Sequence, residues 1–397
     1  MNVPKLRFKE FSGEWEKKRL GEITKVISLK NKEDAQLPIY SINNKIGFVP
    51  QDEQFENIDG VSRGYDTSLY KVVIPNMFAY NPARINVGSI GYSANLNNVM
   101  ISSLYVCFVL TGYNDDSFFW QWFKSKKFNV LVNRFTEGGV RQYLFYENLA
   151  RIKTFVPLCS EQEKIAMFLS VVDSKIGNQQ AIVESLEKQK KALMQKIFSQ
   201  ELRFKDEDGN DFPAWEEKKL REIAKVYDGT HQTPNYVDSG IKFVSVEDIQ
   251  SLYDSNKFIT VEAFNSNFKV YPQKGDVLMT RIGDIGTATI VDRDEPIAYY
   301  VSLGLMKPFG VSGEFLLQYI RSNAFQHELW RRTLHIAFPK KINKNEIGEC
   351  LVMVPCTREQ EKIAELLSSY DDKIEVEKKS LEKWQQIKKG LLQQMFV

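Results

Sequence analysis

Apolar residues recur at alternating steps of four and three along two long stretches of this chain, residues 157–198 and 355–396. A seven-residue repeat keeps one apolar seam facing a partner helix, so the pattern predicts two long α-helices that pack on each other as a coiled coil. About 38 residues at a rise of roughly 1.5 Å each give a rod of roughly 55–60 Å. The seam residues are Ile165, Leu169, Val172, Ile176, Val183, Leu186, Leu193 and Ile197, interrupted by Gln179 and Lys190, and then Ile363, Leu367, Tyr370, Ile374, Leu381, Trp384, Leu391 and Met395, interrupted by Glu377 and Lys388.

The two stretches are copies of each other. The second follows the first after 355 − 157 = 198 residues, and 18 of 42 paired positions are identical. A second repeat opens each half, because residues 15–26 match residues 215–226 at eight of twelve positions. Self-similarity of this extent predicts a duplicated architecture of body, helix, body and helix. We place the bodies at 1–157 and 201–355 and the helices at 158–200 and 356–397.

Both bodies contain short apolar runs broken by Gly, Asn, Asp and Pro, which predict β-strands and turns. Examples are 70–74, 104–110, 241–246 and 276–279, with glycine-bounded turns at 88–91 and 283–286. Each body then carries a stretch that predicts one amphipathic helix, over 117–135 and 313–332. The fold class is therefore α+β: two similar strand-rich domains, separated by two long antiparallel coiled-coil helices and related by a pseudo-twofold repeat.

Composition narrows the function classes. The 397 residues carry a net charge of only +2, so any nucleic-acid surface must come from local clustering. The four cysteines form no CxxC pair, which favours free thiols in a reducing compartment over a zinc site. The first residues have no apolar signal region and no run of 18 apolar residues exists, so we expect a cytoplasmic protein with no membrane partner.

No catalytic set emerges from the motifs. The run Asn81-Pro82-Ala83-Arg84 lacks the second Pro and the aromatic residue of an adenine methyltransferase loop. Two Asp-containing runs, 173–175 and 371–373, resemble part of a nuclease metal motif but lie inside the predicted helices, which favours solvated helix surface. There is no P-loop, and the three histidines (His231, His327 and His335) are far apart. We therefore expect no catalytic residue, metal or cofactor on this chain.

Basic clusters are the more informative feature. Residues 329–345 contain five Lys or Arg and no acidic residue, and the matching segment 117–143 contains five against Glu137 alone. Lys and Arg neutralise phosphates, while Arg, Gln and Asn meet base edges. From residue type and turn position, the predicted DNA-binding residues are Arg84, Ser89, Lys124, Arg134, Arg141, Gln142, Tyr143, His231, Gln232, Arg281, Asp284, Arg331, Lys340 and Lys341.

Four motifs together resemble the specificity subunit of a Type I restriction–modification enzyme. They are the Glu-Gln-Glu-Lys-Ile-Ala starts of both long helices after Val-Pro, the paired Trp-Glu-x-Lys-x-Leu-x-Glu-Ile openings, residues 228–234 (Asp-Gly-Thr-His-Gln-Thr-Pro) and residues 283–286 (Gly-Asp-Ile-Gly). The resemblance covers nearly the whole chain. The first body departs from it, because residues 26–29 (Val-Ile-Ser-Leu) stand in place of Asp-Gly-Thr-His.

The resemblance implies a non-catalytic subunit whose two target recognition domains each read one half of a bipartite, asymmetric site in double-stranded DNA. It also implies that two methyltransferase subunits dock on the spacer helices and methylate adenine from S-adenosylmethionine. Two translocase–nuclease subunits would complete the restriction complex, with ATP and Mg²⁺ on those partners. For subunit docking we predict Glu161, Gln162, Phe168, Glu359, Gln360 and Leu366, with Met167 and Leu392 as further apolar outer positions.

Two other functions stay open at this point. A stand-alone adenine methyltransferase would transfer methyl groups without a partner. A coiled-coil scaffold would bind protein alone and leave the methylation pattern of DNA unchanged.

Overall fold

The computed structural model describes residues 2–31, 36–54, 67–139 and 142–397. The chain divides into two compact units. The first unit comprises residues 1–180 and 379–397, and the second comprises residues 181–378. Each unit therefore contains one predicted body together with part of both long helices.

The first unit is built on three small sheets. Strand β1 pairs with β10, a four-stranded sheet has the order β2-β9-β6-β7, and another has the order β4-β3-β8-β5. All neighbours are antiparallel except β3 and β8. The strands are β1 (Glu16–Arg19), β2 (Thr24–Ile27), β3 (Ile39–Asn43), β4 (Gly47–Pro50), β5 (Lys71–Val73), β6 (Phe78–Tyr80), β7 (Ile90–Tyr92), β8 (Val99–Ile101), β9 (Val106–Leu110) and β10 (Lys153–Val156).

The second unit repeats this plan. Strand β11 pairs with β19, a four-stranded sheet has the order β12-β18-β15-β16, and β14-β13-β17 form a sheet in which β13 and β17 are parallel. The strands are β11 (Glu216–Lys219), β12 (Ala224–Asp228), β13 (Ile241–Val244), β14 (Phe258–Ile259), β15 (Val277–Ile282), β16 (Asp284–Ile290), β17 (Ile297–Tyr299), β18 (Leu303–Pro308) and β19 (Leu351–Val354). The matching strand orders confirm the α+β fold class and the internal repeat.

Helices pack against the sheets β2-β9-β6-β7 and β12-β18-β15-β16 and share buried clusters with the long helices. The first unit contains α1 (Leu20–Ile23), α2 (Gln51–Gln54), α3 (Asp116–Phe123), α4 (Lys126–Phe135) and α5 (Tyr146–Arg151), and α6 (Cys159–Phe198) begins in it. The second unit contains α7 (Val261–Asn267), α8 (Gly313–Ile320), α9 (Asn323–Arg332) and α10 (Lys344–Gly348), and α11 (Thr357–Met395) begins in it.

The two long helices confirm the predicted seam. In the first unit, Ile165 and Leu169 of α6 share a buried cluster with Leu392 and Met395 of α11. In the second unit, the end of α6 at Ile197 shares a buried cluster with the early α11 residues, among them Ile363 and Leu367. The start of one helix thus meets the end of the other in each unit, so the helices run in opposite directions there.

The prediction of one continuous amphipathic helix in each body is wrong. A short break divides 117–135 into α3 and α4, and another divides 313–332 into α8 and α9. Ser125 caps α4 by accepting a hydrogen bond from the Phe128 N–H (3.2 Å), and Ser322 caps α9 through the Phe325 N–H (3.3 Å). Because a capping serine satisfies a free amide at a helix start, it favours a new helix over a continued one.

The carboxylates at the start of the long helices are buried tethers. Glu161 accepts two hydrogen bonds of 2.8 Å from Arg7 and a third from the indole of Trp15 (3.3 Å). Glu359 does the same with Arg203 (3.1 and 2.6 Å) and Trp215 (2.9 Å). This matched pair explains why the Trp-led openings and the helix starts recur together.

The neighbouring glutamines are buried as well. Gln162 accepts a hydrogen bond from the Asp115 N–H (2.9 Å) and donates one to the Pro157 carbonyl (2.9 Å). Gln360 repeats both bonds with Ser312 (3.2 Å) and Pro355 (2.9 Å). We therefore correct the docking prediction for Glu161, Gln162, Glu359 and Gln360, because buried groups with internal partners offer no surface to another subunit. Leu392 is also buried, and Leu366 packs partly against the second core, whereas Phe168 and Met167 are exposed.

The lysines that interrupt the seam form ion pairs between the helices. In the second unit, the Lys190 ammonium lies 2.6 Å from both carboxylate oxygens of Asp371. In the first unit, Lys388 pairs with Asp173. Both aspartates belong to the runs that we interpreted as solvated helix surface. The other four residues of these runs are exposed as expected, whereas Asp173 and Asp371 are half-buried and pair across the seam. A polar pair at a seam position fixes the register of the helices, because any sliding would separate the charges.

Candidate nucleic-acid interface

A short hairpin follows α4 in the first unit. Glu137 and Tyr143 exchange both backbone hydrogen bonds, at 2.9 and 2.8 Å, and this closes the loop that we call loop A, residues 136–144. The Tyr143 ring lies parallel to Phe145 with 5.9 Å between centroids. Gln142 is exposed and accepts a hydrogen bond from the Thr136 hydroxyl (3.4 Å). Arg141 lies outside the described residues.

Loop A sits beside the loop that joins β6 to β7. The Leu144 N–H donates to the Pro82 carbonyl (3.0 Å), and Leu144 itself is fully buried beneath the contact. In the same loop, the Asn86 carbonyl accepts a hydrogen bond from the Asn129 side chain of α4 (3.0 Å). These contacts place the exposed Arg84 at the same end of the unit as Gln142 and Tyr143, although 58 residues separate Arg84 from Gln142 (142 − 84).

Ser89 does not belong to this exposed group. It is buried, and its hydroxyl donates to the Ile42 carbonyl (3.2 Å), so the structure corrects its assignment as a base contact. Gly88 before it has φ of 95°, and a Cβ there would lie 2.9 Å from the Asn44 carbonyl oxygen. Glycine is therefore needed for the backbone to turn tightly at this point.

The second unit carries the counterpart hairpin after α9. The Leu334 N–H donates to the Lys341 carbonyl (2.8 Å) and closes loop B, residues 333–342. The Ile342 N–H donates to the Arg281 carbonyl (3.0 Å), as Leu144 does to Pro82, and Ile342 is likewise fully buried. Loop A and loop B thus stand on equivalent supports in the two units.

Loop B also contacts the tight turn between β15 and β16. The Gly283 N–H, at φ of 82°, donates to the Lys340 carbonyl (2.8 Å). The exposed Asp284 follows, with its carboxylate accepting from the Thr287 hydroxyl (2.6 Å). Asp284, Lys340 and Lys341 therefore come together at one end of the unit, although 56 residues separate Asp284 from Lys340 (340 − 284).

Arg281 supports this end from inside. It is buried, it donates from Nε to the Ile342 carbonyl (3.0 Å), and it pairs with Asp228. The prediction that Arg281 contacts bases is corrected, because its side chain is buried and bonds to Ile342 in loop B and to Asp228 in β12. Asp228 also lies 3.7 Å from the Lys344 ammonium, so the first residue of the Asp-Gly-Thr-His run is structural.

The next residues of that run show where its surface begins. A Cβ at Gly229 would lie 2.4 Å from the Tyr299 carbonyl oxygen, so two backbones touch here and only glycine fits. Thr230 bonds locally to the backbone of Gln232 (3.3 Å). His231 and Gln232 are both exposed, which leaves their side chains available to a ligand.

The remaining predicted cations lie on the helices that lead to these loops. Arg134 is exposed in the last turn of α4, and Arg331 is exposed in the last turn of α9 with Glu328 3.0 Å away. Lys124 follows α3, and its ammonium lies 4.0 Å from the centre of the Trp120 ring. Arg331 is thus partly neutralised, whereas loop B keeps two exposed lysines, Lys340 and Lys341, for which the described residues provide no ion pair.

Each unit has a pocket beside its paired helices, α3 and α4 in the first unit and α8 and α9 in the second. In the first unit a pocket of about 270 Å³ includes Gly88, Lys124 and Asn129, and in the second one of about 540 Å³ includes Asp284, Arg321 and Gln326. Each pocket offers a cation just after the first of the paired helices, Lys124 or Arg321, and an amide on the second, Asn129 or Gln326. We did not predict Asn129, Arg321 or Gln326, although their equivalent positions in the repeat give a signal that could have found them.

Loop B also presents exposed apolar residues that we did not predict as contacts from their residue type. Ile336 and Phe338 are exposed to 99% and 103%, and the exposed Trp330 and His335 lie beside them with rings 5.0 Å apart. Among the residues that the structure describes, no group of three His, Cys, Asp or Glu could hold a metal ion. No helix within those residues is both long and apolar enough to cross a membrane.

A family model for the type I restriction modification DNA specificity domain matches residues 12–188 and, a second time, residues 214–386. The chain belongs to the type I restriction modification DNA specificity family. The two matches fall on the two halves of the repeat. The chain is therefore a type I specificity subunit with two DNA-recognition domains, which confirms the resemblance predicted from the duplicated motifs.

Known specificity subunits match over nearly their whole length. The Type I restriction enzyme MjaVIII specificity subunit of Methanocaldococcus jannaschii is 23% identical over 411 residues, which cover 97% of this chain and 94% of the relative. The putative MjaX specificity subunit of the same organism is 23% identical over 430 residues, with 98% and 95% coverage.

Solved structures show the same fold. The crystal structure of the type I restriction–modification system S subunit from M. genitalium has a TM-score of 0.62 at 16% identity, over 100% of this chain and 99% of that one. A second structure, from work on complex assembly and conformational transition of the type I system, has a TM-score of 0.56 at 15% identity, with 96% and 97% coverage.

Proposed function

We propose that this specificity subunit reads a bipartite, asymmetric site in double-stranded DNA, with one half-site for each unit. The observation that carries the proposal is that loops A and B stand on matching supports but present different side chains. Leu144 donates to Pro82 and Ile342 donates to Arg281, both at 3.0 Å, so the backbone frame is shared. A shared frame with unlike side chains is what two readers of two different sequences require.

The side chains at these ends suit contact with a duplex. In the first unit, Arg84, Gln142 and Tyr143 offer a cation, an amide and a phenol from two adjoining loops. In the second unit, His231, Gln232, Asp284, Lys340 and Lys341 offer donors and acceptors of both kinds. Amide, guanidinium and carboxylate groups discriminate base edges in the major groove, while lysines contact phosphates. We assign base reading to the residues with amide, guanidinium and carboxylate groups, and phosphate contact to Lys340 and Lys341.

The long helices are the proposed docking surface for two methyltransferase subunits. On α6 of the first unit, Met167, Phe168 and Val171 are exposed apolar residues on a helix that is otherwise polar outside the seam. Such a cluster favours an apolar helix-to-helix contact. Within the proposal, the partners bind S-adenosylmethionine and methylate one adenine in each half-site. Two restriction subunits bind ATP and Mg²⁺, and this chain supplies no catalytic group.

Methylated-base sequencing tests the proposal. The chain is co-expressed with its methyltransferase subunit in a host that lacks other adenine methylation, and a methyltransferase-only culture is the control. We expect methylated adenines in a motif of two defined blocks separated by a fixed number of unspecified bases. Methylation that does not change when this chain is omitted would contradict the proposal, and methyl transfer by the purified chain alone would show that it is an enzyme.

Salt dependence provides a second test. Replacing Lys340 by Ala removes a proposed phosphate contact, so affinity of the assembled complex for its site falls and the slope of log K against log salt becomes shallower by about 1. Lys269→Ala is the matched control, because Lys269 is an exposed lysine of the same unit outside loop B. Equal effects of both substitutions would show that loop B has no special place in binding.

A further inference from the structure

Loop B ends in a bare apolar tip. Phe338 and Ile336 lie two residues apart, and their side chains are exposed to 103% and 99%, so they make almost no contact within the protein. Single exposed apolar residues are common on protein surfaces and need no explanation. Two of them at the end of one projecting hairpin leave a compact apolar surface that costs solvation free energy unless something covers it.

The base of loop B is held in place on both sides. The Lys340 carbonyl accepts a hydrogen bond from Gly283 (2.8 Å), and the Ile342 carbonyl accepts one from the buried Arg281 side chain (3.0 Å). On the other side, a ring nitrogen of His335 lies 2.8 Å from the Trp330 carbonyl oxygen. The tip is thus presented on a fixed support, which lowers the conformational entropy that inserting it into a partner would cost.

The charge around the tip identifies the class of partner. Lys340 and Lys341 follow Phe338 directly after Pro339, and both are exposed. Of the five basic residues in segment 329–345, Arg331, Arg332 and Lys344 lie within 4 Å of carboxylates, whereas the described residues provide no ion pair for Lys340 and Lys341. A DNA duplex has anionic phosphates outside and stacked, largely apolar base faces inside. An apolar tip flanked by unpaired cations fits both of these features. Phe and Ile are among the side chains that proteins insert between base pairs.

The equivalent place in the first unit is different. Between its closing residues, loop A has five residues (138–142), whereas loop B has six (335–340). The described part of that stretch begins with Gly138 and Gly139, which have no side chain to insert. In sequence, residues 138–142 (Gly-Gly-Val-Arg-Gln) contain no aromatic residue, so a counterpart of Phe338 is absent from the sequence of loop A.

We propose that Phe338, with Ile336 beside it, inserts between base pairs of the half-site that the second unit reads, and unstacks one base step there. The inference rests on the proposed function, because it requires that loop B approaches DNA. It adds a mode of recognition: sequence preference would come from how easily a base step opens, in addition to hydrogen bonds to base edges. Steps that open at low cost, such as pyrimidine–purine steps, would be favoured under the tip.

The test uses the full chain assembled with its methyltransferase subunits and a duplex that carries the motif found by methylated-base sequencing. 2-Aminopurine, which brightens when it is unstacked, replaces single bases of the second half-site other than the adenine that is methylated. We expect brightening at one step with the native chain and its loss with Phe338→Ala. Affinity should fall by about 5- to 150-fold, the range for loss of one base–aromatic stack.

Three matched variants sharpen the result. Phe338→Leu keeps an apolar wedge and should retain most of the brightening. Tyr113→Ala removes an aromatic residue of the first unit that is exposed to 94% and should change neither signal. Phe338→Ala removes no charge, so the salt slope of binding should stay as in the native chain, unlike that of Lys340→Ala.

The outcomes separate this inference from the proposed function. A native complex that does not bind its motif would refute the proposed function and this inference together. Specific binding with no brightening outside the methylated adenine, or with full affinity in Phe338→Ala, would refute the inserted wedge and leave the DNA-reading function intact. If Phe338→Ala instead prevents co-purification with the methyltransferase subunit, the tip is a protein-docking surface and the inference is wrong.

Discussion

The ion pair between Lys190 and Asp371 provides a quantitative test of how the long helices are held in register. The carboxylate of Asp371 accepts two contacts of 2.6 Å from Lys190 and one of 2.9 Å from the Gln318 amide, and Arg321 lies 3.1 Å away. The Lys190 side chain is 10% exposed and that of Asp371 is 37% exposed. Burial lowers the pKa of Lys190, although the hydrogen bonds to Asp371 oppose this effect.

These contacts set an order between two substitutions. Asp371→Asn leaves the buried ammonium of Lys190 without a counter-charge, and loss of one partner of a buried pair costs about 3–5 kcal/mol. Because Asp371 is more than one third exposed, we reduce this to about 2–3 kcal/mol. Lys190→Met keeps the apolar stem in the seam and leaves Asp371 with Gln318 and Arg321, so it should cost about 1–2 kcal/mol.

The assay is urea unfolding of the full chain followed by circular dichroism, with Lys191→Met as the control. Lys191 is the next residue of α6 and is exposed, so its substitution should change the free energy of unfolding by less than about 0.5 kcal/mol. The double variant of Lys190 and Asp371 should cost less than the sum of the single variants, because neither charge is then stranded. If Lys190→Met and Lys191→Met are equally stable, or if the double variant is simply additive, the register argument fails.

Three further substitutions test other parts of the structure. Gly229→Ala places a methyl group 2.4 Å from the Tyr299 carbonyl oxygen, so it should lower the free energy of unfolding by about 2 kcal/mol or more, and a native-like urea midpoint would contradict this. Burial, followed by repulsion from Asp115, raises the pKa of Asp116 to about 6, so the folded state favours its protonated form and loses stability as the pH rises from about 4 through 6. Asp116→Asn removes that loss and should be more stable than the native chain by about 1–2 kcal/mol at pH 7 and equal to it near pH 4, whereas a pH-independent difference would contradict the assignment. Glu359→Gln should weaken the bonds to Arg203 and Trp215 and lower the melting temperature, while Glu361→Gln, an exposed neighbour, should not.

The regular features of this fold could be predicted from sequence because they depend on local pattern. The heptad seam identified both long helices, with bounds of Cys159–Phe198 and Thr357–Met395 against the predicted 158–200 and 356–397. Of the glycine turns predicted at 88–91 and 283–286, the structure has turns at Gly88 and Gly283, where the positive φ favours glycine, whereas 90–91 belong to β7 and 284–286 to β16. The breaks at Ser125 and Ser322 were missed because apolar periodicity continues across them while the capping bond stops the helix.

The candidate site was harder to predict, because burial of a polar side chain depends on partners far away in sequence. Arg281 and Ser89 have the residue types of base contacts, but Asp228 and the Ile42 carbonyl use them internally. Glu161 likewise belongs to a tether whose other member, Arg7, lies 154 residues away. Loops A and B were located in sequence by their charge, whereas their contact with the hairpin turns required the structure.

Exchange of loop segments followed by methylated-base sequencing tests the central claim most directly, namely that each unit reads its own half-site. Residues 335–340 are replaced by the sequence of residues 138–142, and the methylation motifs of the native and exchanged chains are compared in the same host. We expect the block read by the second unit to change or lose definition, while the other block and the spacing between the blocks stay the same. Equal change in both blocks, or an unchanged motif, would contradict it.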